Sequence, residues 1–142
     1  MPTKDPSHWL YRLSPEEWLS AADHELTLCA EALGRRAVRP GITHARRAAG
    51  MAWNAVLAAT SPLDERYGRS YMEHVTALAD DAGSVASDVP EEVRAAARRL
   101  RDTPAAPPAL ITIGKPDLGP LDAARTLVAH ARVRAADPLT TN

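Results

Sequence analysis

The sequence predicts an all-α protein, an up-and-down bundle of about five helices with one extended Pro-rich connection before the last. Three observations carry this. Alanine is abundant and Phe is absent, a bias toward helix over strand. Apolar residues recur at helical spacing through most of the chain. Only Leu110-Ile111-Thr112-Ile113 reads as strand, and one short run without a partner makes no sheet.

The most apolar helix spans roughly 41–59. Ala45, Ala49, Ala52, Val56 and Ala59 share a stripe that Ala48, Met51, Trp53 and Leu57 widen. A helix apolar on so much of its circumference needs cover on most sides, which places it at the centre of the bundle. Its small residues let neighbouring backbones approach, and Trp53 fills the space that remains.

In chain order, residues 1–13 form an N-terminal arm carrying Trp9, Leu10, Tyr11 and Leu13 without clear periodicity. Such an arm either packs on the bundle or offers an aromatic patch to a partner. Ser14-Pro15-Glu16-Glu17 has the form of a capping box with proline at the first helical position. The helix it starts places Trp18, Ala22, Leu26, Cys29 and Leu33 on one face. Gly34 is expected to end it, with Arg35, Arg36 and Arg39 at its negative end. Pro40-Gly41 then turns the chain into the central helix, which Thr60-Ser61-Pro62 closes, so the first two helices are antiparallel neighbours.

A third helix, from about Asp64 to Asp80, carries the stripe Tyr67, Tyr71, Val75 and Leu78, and a polar loop follows. Pro90-Glu91-Glu92 starts a fourth helix, to about 102, that buries Val93, Ala96, Ala97 and Leu100. Its other face bears Arg94, Arg98, Arg99 and Arg101. That face is either solvated and salt-bridged or a phosphate-binding surface, in which case Arg94, Arg98 and Arg101 are the nucleic-acid candidates. The Pro-rich connection covers 103–119. Gly119-Pro120-Leu121-Asp122 opens the last helix, to about Ala136, with Leu121, Ala124, Val128 and Ala131 inward and a frayed tail at 137–142.

The 142 residues suit a single domain, and 45% hydrophobic with 25% charged residues is globular composition. No apolar run approaches the roughly 20 residues of a membrane span. The N-terminus lacks the apolar core of a signal peptide, and the one cysteine, Cys29, cannot form an internal disulfide; both fit a reducing cytoplasm. Cys29 lies on the apolar stripe, as inert core or as a reactive thiol. With a net charge of −1, any nucleic-acid binding rests on a local patch.

Neither Glu-x-x-His nor His-x-x-x-His occurs, and the five histidines, His8, His24, His44, His74 and His130, lie on different segments. A metal site would have to be assembled from separate helices. No glycine-rich phosphate loop or serine nucleophile elbow is present, so neither metal nor cofactor is called for. An Arg followed five positions later by a His does occur twice, as Arg69/His74 and Arg125/His130. On a helix this spacing leaves the side chains more than a turn apart but loosely convergent. The pair suits metal-independent RNA cleavage: a His titrating near neutral pH moves the proton and an Arg holds the scissile phosphate.

Four features together resemble the HEPN superfamily of small all-α domains. They are Trp18-Leu19-x-x-Ala22, the stretch His44 to Leu57, the run Tyr67-Gly68-Arg69-Ser70-Tyr71-Met72-Glu73-His74, and Val89-Pro90-Glu91-Glu92 before the fourth helix. The similarity covers most of residues 15–136 in pattern and helix order. It implies a four- or five-helix bundle, commonly a homodimer. Many such domains are ribonucleases with an Arg-x(4–6)-His motif, often paired with a minimal nucleotidyltransferase in toxin–antitoxin systems; others have lost catalysis. The family's Arg usually stands at or before the last helix, where this chain has Ile113-Gly114-Lys115-Pro116-Asp117. Arg125 and His130 match inside the last helix and are the first catalytic candidates, Arg125 as phosphate clamp and His130 as acid/base. Arg69 and His74 come second. An enzyme needs one Arg and one His converging on a shared cleft, most naturally across a dimer axis. A non-catalytic protein-interaction module leaves the histidines dispersed or buried.

Overall fold

A computed structural model describes residues 9–59, 70–80, 89–103 and 117–136. Among them are five α-helices and no strand: α1 Pro15–Gly34, α2 Val38–Ala59, α3 Tyr71–Asp80, α4 Glu91–Asp102 and α5 Gly119–Ala136. No helix among the described residues is long and apolar enough to cross a membrane. Most of the expected Pro-rich connection, with its strand-like run, and the expected tail lie outside the described residues, as does Tyr67.

A short 3-10 turn, Trp9–Arg12, precedes α1. Leu10 is fully buried, and the Trp18 indole N–H donates to its carbonyl at 2.9 Å, so this part of the arm packs on the bundle. The Ser14 capping box forms as expected. The Glu17 N–H donates to Ser14 Oγ at 3.1 Å, and the Ser14 N–H donates to Glu17 Oε1 at 2.9 Å.

Helix α1 ends at Gly34, as expected, but the glycine does not take the left-handed turn. The left-handed residue is Arg36, with φ 64°. The Ala37 N–H donates to Ala32 O at 2.8 Å and the Arg36 N–H to Leu33 O at 3.0 Å. This is a Schellman closure with arginine where glycine is usual. The turn into α2 is therefore Arg35-Arg36, and α2 starts at Val38. Pro40 and Gly41 lie in its first turn, where a missing N–H costs nothing because those donors have no partner within the helix.

Helix α2 is the centre of the bundle and touches the other four. Ala45, Ala48, Ala49, Ala52, Trp53, Ala55, Val56, Leu57 and Ala58 are all buried. Its glycines sit where neighbours press closest. A Cβ on Gly41 would overlap the Leu33 side chain of α1, and one on Gly50 would overlap Cβ and the ring of Tyr71 on α3. The core takes Val75 and Leu78 from α3, Val93, Ala97 and Leu100 from α4, and Leu121, Ala124, Val128 and Ala131 from α5.

Helix α3 opens on a second capping box. The Glu73 N–H donates to Ser70 Oγ at 3.1 Å, and the Ser70 N–H donates to Glu73 Oε1 at 3.2 Å. Among the described residues α3 begins at Tyr71, and the part of the expected helix from Asp64 to Arg69 lies outside them. The C-terminus of α4 is closed by a residue from α2. Arg46 donates from Nε to Leu100 O at 2.9 Å, and from one terminal nitrogen to Thr103 O at 2.6 Å and Arg101 O at 3.5 Å. A cation at a helix C-terminus satisfies orphan carbonyls and complements the helix dipole.

Two substitutions test these close contacts in opposite directions. Gly50→Ala forces Tyr71 away from α2 and should lower unfolding stability by about 1–3 kcal/mol. Arg36→Gly relieves the left-handed strain and should raise it by about 0.5–1 kcal/mol. Urea-denaturation midpoints compared at equal m-value measure both.

Candidate functional site

The largest departure from simple packing is a buried carboxylate. Glu25 stands on the apolar stripe of α1 between Ala22 and Cys29 and is only 4% exposed. A buried charge is tolerated only when paired. Two residues one turn apart on α2 supply the pairing. Arg47 Nε lies 2.5 Å from Glu25 Oε1, and His44 Nδ1 lies 3.3 Å from Glu25 Oε2. Antiparallel packing of α1 and α2 brings the three together.

The pairing also sets what is left over. With Nδ1 turned to the carboxylate, His44 keeps Nε2 for another partner, and its side chain is 27% exposed. Arg47 comes closest to Glu25 through Nε, its two terminal NH2 groups make no hydrogen bond among the described residues, and its side chain is 50% exposed. One turn further along α2, Gly50 admits Tyr71. Burial pushes the Tyr71 phenol up from its ordinary range; the Arg47 charge opposes that shift and the Glu25 charge adds to it. Both charges therefore reach the phenol.

Deeper along the same interface, His74 is fully buried and its Nε2 lies 2.7 Å from Asn54 Oδ1. Asn54 is also fully buried, and its Nδ2 has no hydrogen-bond partner among the described residues. His74 is thus a core residue. Its sequence partner Arg69 lies outside the described residues.

Arg125 and His130 lie on α5, and the helix does not bring them together. Five positions amount to about 140° around a helix axis. Arg125 is exposed and stands 3.9 Å from Asp122, whereas His130 stacks on Trp53 of α2 with ring centroids 5.9 Å apart and planes at 9°. The loose convergence expected from spacing alone is absent because one side chain faces solvent and the other the core.

The arginines of α4 are engaged with carboxylates. Arg94 and Arg98 both bond Glu91, at 2.8 and 2.5 Å, and hold its carboxyl below the usual range. Arg101 bonds Asp102 and Asp80, each at 2.8 Å, and holds the Asp102 carboxyl down likewise. Arg99 stands 4.0 Å from Asp117. A phosphate arriving at Arg94, Arg98 or Arg101 has to compete with these acids. Among the described residues no group of three His, Cys, Asp or Glu side chains comes together in a form that could hold a metal ion.

Sequence reasoning missed Glu25, His44, Arg47 and Tyr71 as a group. Two signals were available: a glutamate interrupting an apolar stripe, and His44-x-x-Arg47 on one face of the next helix. No family model, curated protein or solved structure matches the chain.

Cys29 is fully buried, and burial pushes its thiol up from 9.0 to about 11, with the Arg125 charge opposing. An acid whose pKa rises on folding stabilises the native state below its unfolded pKa, and that contribution is lost as pH rises through the folded value. Stability should therefore fall between pH 9 and 11, and Cys29→Ala should flatten the slope in that window, as read from urea midpoints across the series.

Proposed function

We propose that this is a HEPN-like helical bundle that works by binding rather than by cleaving RNA. In this reading it is a homodimeric interaction module of a cytoplasmic toxin–antitoxin or nucleotide-linked system, beside a minimal nucleotidyltransferase-type partner. The family and the setting rest on the sequence resemblance together with the five-helix architecture.

One observation favours the non-catalytic branch: both histidines of the Arg-x(4)-His pairs are used in packing. His74 is fully buried against Asn54, and His130 is stacked on Trp53. A general acid/base must come within hydrogen-bond reach of the proton it moves, and a phosphate clamp must share its cleft. Arg125 is exposed beside Asp122, about 140° around α5 from His130.

Incubating the purified protein with RNA in EDTA tests this reading. The wild type, His130→Ala and His74→Ala should each leave the RNA as intact as a protein-free control. Metal-independent cleavage by the wild type that disappears in His130→Ala overturns the reading and gives Arg125 and His130 the catalytic roles.

A further inference from the structure

We infer that Arg47, His44 and Tyr71, set on the buried Glu25 carboxylate, form a binding site for a phosphate group. The inference rests on the binding role proposed above and names the chemistry that the bundle would bind.

Glu25 is the foundation of the site. Its carboxylate is 4% exposed and carries Arg47 and His44 on its two oxygens, which orients both without itself facing a ligand. An arginine on a flexible stem loses rotamer freedom when it binds; one whose Nε is already tied has lost much of it beforehand. What Arg47 still presents is its terminal NH2 edge, the part of the guanidinium suited to oxyanions. His44, one turn before it on α2, presents Nε2, which donates once the ring is protonated.

The third donor comes from another helix. Gly50 lets Tyr71 approach α2 more closely than any side chain would allow, and the Arg47 and Glu25 charges both reach the phenol. Neither Arg47, His44 nor Tyr71 has its outer polar group in a hydrogen bond among the described residues. Donors on two helices suit a tetrahedral oxyanion, which has oxygens for all three. A planar carboxylate meets fewer of them. Glu25 offsets the charge of Arg47 at close range, so the anion is held by directed hydrogen bonds more than by net charge. The arginines of α4, by contrast, already face surface carboxylates.

The test follows the imidazole carbon–proton resonance of His44 by NMR while inorganic phosphate is added at constant pH, with chloride holding ionic strength. A saturable shift at His44 is expected, with the His74 and His130 resonances unmoved. Arg47→Gln should weaken the response roughly tenfold or more, as loss of a charge-assisted bond does. Because that variant leaves Glu25 without its arginine, Glu25→Gln/Arg47→Gln is measured beside it and should be as weak. Adenosine monophosphate and adenosine form two further arms, and a shift with the former alone identifies a nucleotide phosphate as a source. A wild-type His44 resonance that does not saturate, or one that moves equally in both variants, overturns the site; so does an equal response to acetate. RNA cleavage in EDTA would instead overturn the binding role and leave the phosphate titration to be read on its own.

Discussion

The constraint on which this structure depends is the closeness of its neighbours to α2. A central helix touched by four others can be surrounded only if its side chains are small where backbones meet. Gly41 under Leu33, Gly50 under Tyr71 and the buried alanines between them meet that demand. A helix lined this way gains little from each residue, because alanine buries little area. Apart from Ile42, the larger buried apolar side chains, Trp53, Val56 and Leu57, gather in the second half of α2, and His44, Arg46 and Arg47 lie in the first.

Two of those polar residues are adjacent in sequence. Arg46 and Arg47 are about 100° apart around the helix, so one reaches the carbonyls at the end of α4 and the other the carboxylate inside α1. Neither interaction is a cheap route to stability. A buried ion pair roughly repays its own desolvation, and its better-attested use is to fix which arrangement forms. Here the pair fixes the register of α1 against α2, and it leaves a histidine and an arginine at the surface with their orientation already set.

Much of the fold was legible because its signals are local. Ser14-Pro15-Glu16-Glu17 and Pro90-Glu91-Glu92 mark helix starts through chemistry contained within a single turn, and the inward stripe of α5 follows from spacing alone. The stop of α1 at Gly34 was legible, but the residue that takes its left-handed turn was not. That residue is Arg36, where a side chain tolerates a strain that glycine would avoid. Ser70 and Glu73 cap α3 in the way that Ser14 and Glu17 cap α1. The site was less legible than the fold. That a glutamate on an apolar stripe needs a partner can be read from one helix; that the partners are His44 and Arg47 depends on register between two. The Arg-x(4)-His pairs show the converse, since spacing places residues around an axis without saying which side meets the core.

The Arg46 bridge also bears on how the chain comes to be ordered. Helix α4 has 12 residues, a length at which an isolated helix in water is marginal, and its last carbonyls are satisfied from a residue more than 50 positions earlier. Its final turn cannot close fully until α2 is in place. Fraying at that end is thereby coupled to opening of the centre, and a helix that would otherwise exchange its amide protons independently becomes part of the same cooperative unit as α2.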